Sequence, residues 1–280
     1  MKEGTYRLDA LLVARGLASG REKAKELIEA GLVTVNGKRA SKASQAVEKT
    51  DALVCEGQLH RYVGRGGEKL EKALDDAQIS PQGLCCLDVG ASTGGFTDCL
   101  LQHGAARVFA LDVGHGQLHP SLCRDDRVVN LEGMDIRRTK EVQSRMGADR
   151  PSFAVVDVSF ISLKAIWPSV EELLVPSATV VCLIKPQFEA GRSAIGKHGV
   201  VKDPAAHREV LCGLTDFWAQ SGWTLLYLSY SPITGGEGNI EYLAVLNRQE
   251  GPPSCAWTGE IRELVRQAHE ALREKGGRPR

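Results

Sequence analysis

No C-x-x-C spacing joins any two of the eight cysteines, Cys55, Cys85, Cys86, Cys99, Cys123, Cys182, Cys212 and Cys255. A zinc knuckle or dithiol redox motif therefore has no basis, and no bound metal is expected. Several of these cysteines lie inside apolar runs, where cysteine acts as a small hydrophobe. They read as reduced core residues of a cytoplasmic protein. Charge of one sign is not in excess either, with 35 basic and 35 acidic residues. A nucleic-acid-binding surface must then be a local patch. No apolar run approaches the ~20 residues that cross a bilayer. The longest, Ala154–Val158 and Thr179–Ile184, are strand-sized. The opening M-K-E-G-T-Y-R-L-D-A has no apolar signal core, so no membrane partner is expected. Internal repeats and low-complexity tracts are absent. The 280 residues suffice for one full α/β domain and something smaller beside it.

The stretch Leu84–Leu101, L-C-C-L-D-V-G-A-S-T-G-G-F-T-D-C-L-L, organises the rest. It reads as a buried strand ending near Asp88, a turn through Gly90, Ser92, Thr93, Gly94 and Gly95, and a helix from about Phe96. Strand, glycine-rich turn and helix together are how α/β proteins hold nucleotide-like ligands. Glycines let backbone approach the ligand, and the helix N-terminus supplies free N–H groups and partial positive charge. A dinucleotide site wants G-x-G-x-x-G. Here the first glycine is followed by A-S-T-G-G, and the acid precedes the turn. That disfavours NAD and points to S-adenosylmethionine, whose ammonium and carboxylate must both be met close to the turn. The plain alternative is a structural glycine turn.

From Leu84 onward, strand and helix patterns alternate. Strands are expected at 84–89, 107–113, 127–132, 153–159, 179–185, 223–230 and 240–247. Helices are expected at 96–102, near Leu118, and at 138–146, 162–174 and 204–220. Such βα units imply a parallel sheet. The last two strands are separated only by Ile233–Asn239, so they should pair as a hairpin with the final strand reversed. The fold class is α/β, a seven-stranded Rossmann-like methyltransferase sheet. Ligands there bind at the carboxyl ends of the strands. Asp112 ends the second strand and suits the ribose hydroxyls of the cofactor. Asp135, in G-M-D-I, suits the adenine amino group, with Met134 and Ile136 against the ring. Singly, each such Asp is an ordinary turn or cap residue; the register with the D-x-G turn is what favours a ligand.

Four more residues should reach the same rim: Lys69 in the first turn of a helix opened by Glu68, Asp157 in A-V-V-D-V-S-F, Lys185 in C-L-I-K-P-Q-F-E and Glu241 in G-N-I-E-Y-L. A lysine ending an apolar strand is costly unless paired or used. Two lysines and two carboxylates around one acceptor suit general-base methylation of a hydroxyl. N-methylases favour Asn/Asp-Pro-Pro-Tyr/Phe after the fourth strand. Asp157-Val158-Ser159-Phe160 lacks the prolines.

The first sixty residues differ in character. Leu8, Leu11 and Leu12 share one helical face up to Gly16. Ser19 caps a second helix with Ala24, Leu27 and Ile28 inward, ended by Gly31. Leu32–Val35 reads as a strand and Asn36-Gly37 as a tight turn. Two amphipathic helices with a solvated charged face would be the ordinary account. The pattern R-L-D…S-x-R…L-I-x-x-G-x-V-x-V-N-G-K, however, resembles the small α+β RNA-binding module named after a small-subunit ribosomal protein, the S-four module, over about Tyr6–Val54. The resemblance departs at Ser19-Gly20-Arg21, where the serine usually abuts the arginine. It implies that Arg7, Arg21, Lys23, Lys25, Lys38 and Arg39 face RNA, reading shape and phosphates. Arg65, in the glycine-rich connector at 61–67, is assigned to RNA as well. The expected division is an RNA-binding domain over 1–60, a linker over 61–67, a methyltransferase domain over 68–250 and a C-terminal helix and tail over 251–280.

The order Lys-Asp-Lys-Glu, with D-V-G-A-S-T-G-G-F-T-D, A-L-D-V-G-H-G-Q-L, D-V-S-F-I-S-L and L-I-K-P-Q-F-E, resembles the TlyA family, also called hemolysin A-like, of FtsJ-type ribose 2′-O-methyltransferases. The resemblance spans roughly Tyr6–Asn247. It implies cytidine 2′-O-methylation of ribosomal RNA by Lys69, Asp157, Lys185 and Glu241, on ribosomal RNA or subunits as partner. Lys185 is expected as the base, Lys69 as the group positioning the acceptor, and the carboxylates as their orienting partners. Phe188–Asp203, with Gly191, Gly196, Gly199, Arg192, Lys197 and Lys202, reads as a plain flexible loop or a lid over RNA. Two other functions compete. A non-catalytic ribosome-assembly factor has no need of the paired charges. A membrane-lytic protein lacks a signal, a span and a strongly amphipathic apolar helix.

Overall fold

Strands buried on both faces carry almost no polar side chains, and five stretches of this chain meet that condition. The computed structural model describes residues 5–18, 20–55, 61–191, 194–235, 238–248 and 257–276. It divides the chain into two compact units, Met1–Arg61 and Tyr62–Arg280.

The first unit runs β1 (Thr5–Arg7), α1 (Leu8–Ala14), α2 (Arg21–Glu29), β2 (Val33–Val35), β3 (Lys38–Arg39), β4 (Ala46–Glu48) and β5 (Leu53–Cys55). β1 pairs antiparallel with β4, while β2 lies between β3 and β5. The expected faces meet in one core, with Leu8, Leu11 and Leu12 of α1 against Ala24, Leu27 and Ile28 of α2 and Val33 of β2. Ser19, expected to cap α2, lies outside the described residues. Gly20 holds the cap position, and Gly31 follows the helix with φ +71°.

The second unit opens with α3 (Gly66–Asp76). There follow β6 (Cys85–Val89), α4 (Gly95–Gln102), β7 (Arg107–Asp112), α5 (Pro120–Cys123), β8 (Val128–Glu132), α6 (Thr139–Met146), β9 (Phe153–Val156) and α7 (Leu163–Leu173). The chain then runs through β10 (Thr179–Ile184), α8 (Pro186–Glu189), α9 (Pro204–Gln220), β11 (Thr224–Tyr230), β12 (Tyr242–Asn247) and α10 (Thr258–Gly276). The seven-stranded sheet has the order β11-β12-β10-β9-β6-β7-β8. β12 is antiparallel to both its neighbours, and the remaining pairs run parallel. The reversed strand expected from the short hairpin is therefore present, inserted between β10 and β11. Alternating strand residues fill two cores. Leu87, Val89, Trp167, Trp218 and Val265 lie in one. Cys86, Leu70, Leu100, Leu122 and Val245 lie in the other, beneath α3, α4 and α5. The result is a helix–sheet–helix sandwich.

Two expected boundaries shift. The 61–67 connector is not free chain, because Tyr62 is buried in the second unit and α3 begins at Gly66 rather than Glu68. The segment from Phe188 is not loop at its start, since Pro186–Glu189 forms one helical turn and Lys197–Gly199 a 3-10 turn. Arg192, the tail at 277–280 and Pro252-Pro253 lie outside the described residues. Among the described residues, no helix is long and apolar enough to cross a membrane.

Candidate active site

In an open α/β sheet the ligand crevice forms where consecutive connections leave in opposite directions. Here β6 is that strand, flanked by β7 and β9. The chain leaving β6 and the chain leaving β9 come very close. Asp157 N–H donates to Val89 O at 2.9 Å. A Cβ built on Gly90 would lie 2.3 Å from the Asp157 carbonyl oxygen, and Gly90 has φ +87°. Only glycine fits there, on grounds of both space and backbone conformation.

A cavity of about 270 Å³ opens at this point. Its floor is the glycine turn, Gly90, Ser92 and Thr93, leading into Gly95 and Phe96 of α4. Gly64, Arg65 and Gly66, at the start of α3, form one wall. Two helix N-termini thus line one cavity, and both favour negative charge. Lys69, Asp157, Lys185 and Glu241 all line it. Register explains part of this convergence. Ile184 pairs with Tyr242 across β10 and β12, so Lys185 and Glu241 are the next residues outward.

The four charges form two ion pairs. Lys69 Nζ donates to Glu241 Oε2 at 2.5 Å, with the Glu241 side chain 2% exposed. Lys185 Nζ lies 2.5 Å from Asp157 Oδ1 and donates to Ser159 Oγ at 2.9 Å. Burial pushes the Glu241 carboxyl up, opposed by the Lys69 ammonium beside it. Glu241 also needs an empty neighbour. A Cβ on Gly235 would lie 2.0 Å from Glu241 Oε1.

Asp88 is fully buried beneath the turn rather than exposed in the cavity. Its Oδ2 accepts from Thr97 Oγ1 at 2.6 Å, while Oδ1 has no partner among the described residues. Burial lifts this carboxyl to about 7, with Thr97 opposing. Asp112 stands at the end of β7, where Oδ2 accepts from Ser92 N–H at 2.8 Å and Oδ1 from Gly114 N–H at 2.7 Å. Each oxygen keeps a lone pair for a further donor. Gly94 is outside the cavity lining and packs on Leu118 and Leu122. Met134 N–H donates to Asp112 O at 3.0 Å, so the loop after β8 adjoins Asp112. The Asp135 carboxylate is gripped by Arg137, at 2.5 Å from Nη2. Ile136, expected against a ring, is buried in the core.

Sequence reasoning missed Gly64, Gly66, Ile233, Thr234 and Gly235 as lining residues and Ser159 as a partner of Lys185. A glycine six residues before a rim glutamate was the available signal for Gly235. Arg65, assigned to RNA by composition, sits in the cap position of α3 and lines the cavity. The remaining basic candidates lie in the first unit. Arg21, Lys25, Lys38 and Arg39 are exposed, and Lys23 is half-buried, 3.5 Å from Glu26. Arg7 donates to both Asp9 oxygens, at 3.0 and 2.8 Å.

A sheet with one reversed strand, a glycine turn at its switch point and charged pairs over the crevice define an α/β methyltransferase. Residues 62–248 match the FtsJ-like methyltransferase family, and residues 7–53 match the S4 domain. The chain belongs to the FtsJ-like methyltransferase family and carries an S4 domain at its N-terminal end. It is 46% identical to the candidate rRNA methyltransferase YqxC of Bacillus subtilis over 96% of each chain. It is 43% identical to the 16S/23S rRNA (cytidine-2′-O)-methyltransferase TlyA of Mycobacterium tuberculosis, over 87% of this chain and 90% of that one. A solved structure described as a candidate hemolysin from Streptococcus thermophilus superposes with a TM-score of 0.76 at 43% identity, covering 98% of both chains.

Proposed function

We propose that the protein methylates the 2′-hydroxyl of ribose, on cytidine in ribosomal RNA, using S-adenosylmethionine. The observation that carries this reading is the pair of ion pairs, Lys69–Glu241 and Lys185–Asp157, around one cavity at the switch point. A binding scaffold would leave two partly buried lysines without purpose, because buried pairs are weak contributors to stability. The name of the Mycobacterium tuberculosis relative supports the nucleoside and the polymer.

The residues present fit the cofactor. Gly90, Ser92, Thr93, Gly95 and Phe96 make its cradle, with Asp88 buried beneath the turn and Gly94 packed behind it on Leu118 and Leu122. The turn amides and helix ends suit the carboxylate, and the lone pairs left on Asp112 suit a ribose diol. Met134 and Asp135 edge the adenine side. When bound, S-adenosylmethionine supplies an electrophilic methyl group whose carbon–sulfur electron pair stays with the sulfur.

The chain's own groups do the rest. Lys185 Nζ takes the proton of the 2′-hydroxyl as that oxygen attacks, leaving an ammonium that Asp157 balances. Lys69, fixed by Glu241, holds the acceptor ribose or its phosphate. Alignment in the cavity supplies much of the rate, since proximity and orientation are worth roughly 7–11 kcal/mol in favourable cases. The first unit, through Arg21, Lys23, Lys25, Lys38 and Arg39, brings the RNA, and the setting is the cytoplasm.

The test uses purified protein, labelled S-adenosylmethionine and ribosomal subunits lacking the modification. After digestion to nucleosides, 2′-O-methylcytidine should carry the label. Label in a base-methylated nucleoside, or none, would refute the reading.

A further inference from the structure

Beyond the two ion pairs, the segments that follow Asp157 and Lys185 out of the cavity lining are joined to each other. The loop between β9 and α7 is fastened to the segment after β10 by three successive contacts. Lys185 donates to Ser159 at 2.9 Å. The Phe188 ring lies 5.0 Å from that of Phe160. Glu189 accepts from Ser162 Oγ at 2.6 Å and from Leu163 N–H at 2.7 Å. This third attachment places a carboxylate on the N-terminus of α7; burial pushes that carboxyl up, opposed by the Ser162 and Leu163 hydrogen bonds. The loop needs fastening, because Phe160 holds φ +65°, a conformation costly for a bulky side chain and kept only where the surroundings impose it.

The fastening has a consequence at Lys185. An amine nitrogen has three directions beyond its own carbon. Ser159 Oγ occupies one, accepting at 2.9 Å, and Asp157 Oδ1 stands 2.5 Å away as an ion-pair partner outside hydrogen-bond geometry. The N–H held by Ser159 restricts rotation about the last bond, and the carboxylate bounds one side, so the lone pair is left a narrow set of directions. A base with a free rotor about its last bond would present its lone pair to the acceptor only part of the time.

We propose that Ser159 is a positioning residue, aiming the Lys185 lone pair at the acceptor hydroxyl, and that Glu189 holds the Ser159 loop in place for it. The inference rests on Lys185 being the base. Ser159 touches neither acceptor nor methyl donor in this scheme; it acts through Lys185.

Full-length Ser159→Ala, Ser159→Thr, Glu189→Ala and Glu189→Gln are assayed on ribosomal subunits, with Lys185→Ala alongside. Binding of S-adenosylhomocysteine and thermal melting are measured for each. Loss of one ordinary hydrogen bond predicts a kcat about tenfold lower in Ser159→Ala. KM for the subunit and S-adenosylhomocysteine affinity stay unchanged. Ser159→Thr keeps the hydroxyl and recovers most of the rate. Glu189→Ala lowers kcat in the same way, Glu189→Gln recovers part of it, and Ser159→Ala costs little more once Glu189 is alanine. Should Glu189→Ala fail to fold, the serine pair decides alone. Wild-type kcat in Ser159→Ala, or equal losses in alanine and threonine, overturns the inference while Lys185→Ala is inactive. Activity in Lys185→Ala overturns instead the assignment of the base.

Discussion

Lys69 and Glu241 are 172 positions apart in sequence and meet at 2.5 Å in the cavity wall. Gly235 makes the meeting possible by leaving room for the Glu241 carboxylate. Gly235→Ala should therefore displace Glu241, disturb Lys69 and reduce methylation strongly. Glu241→Ala should be worse for stability, because it strands a buried ammonium. Breaking such a pair from one side costs about 3–5 kcal/mol. Thermal melting and activity of the two variants check this ordering.

Asp112 gives a separable prediction. Its two oxygens are aimed by Ser92 and Gly114 amides, with no link to the ion pairs. Asp112→Ala should weaken S-adenosylhomocysteine binding by about 1.5–3 kcal/mol, the usual worth of a hydrogen bond to a charged group. Calorimetry reads this directly. At saturating cofactor the rate should fall far less than in any ion-pair variant.

Asp88 predicts a pH dependence of stability. Burial raises its carboxyl from 3.8 to about 7 in the folded protein. The folded state thus holds a proton that the unfolded state has released between those values. Stability falls as pH rises through that window, by on the order of 4 kcal/mol at most. Asp88→Asn keeps a Thr97 acceptor and removes the titration. Denaturant melts at pH 5 and pH 8 should differ less for Asp88→Asn than for the natural protein.

The basic residues of the first unit separate into two kinds. Lys25 and Lys38 are exposed, whereas Arg7 is held by Asp9, whose carboxyl is lowered chiefly by that hydrogen bond. Lys25→Ala and Lys38→Ala should weaken binding to ribosomal RNA and reduce the salt slope by about one for each phosphate no longer neutralised. Arg7→Ala should lower stability as well, because Asp9 is left nearly buried without its partner. Binding titrations across salt concentrations distinguish the two kinds.

What the sequence showed and what it hid follow from range. Strands β6, β7, β9, β10 and β12 were legible because burial on both faces writes an apolar run into the chain. The Ile233–Asn239 gap forced the reversed strand because seven residues cannot make a parallel crossover. The four site charges were legible as motifs, but their pairing was not. It depends on the Ile184–Tyr242 register and on where α3 packs, neither of which is local. Strands of three residues, such as β1 and β4, are too short to show a period. The placement of Arg65 was hidden for a related reason: a glycine-rich basic run looks like a connector until Tyr62 is seen to be buried. Ile136 was aimed at a ligand from its place in G-M-D-I, yet core packing claims it.

The most direct test of ribose methylation by this site compares the natural protein with Lys185→Ala on the same ribosomal subunits. Labelled RNA is cleaved with alkali, which needs a free 2′-hydroxyl at each step. The expected result is label in an alkali-resistant dinucleotide with the natural protein, and none with Lys185→Ala, although both bind S-adenosylhomocysteine equally. Label released in single nucleotides, or an undiminished rate in Lys185→Ala, would contradict it.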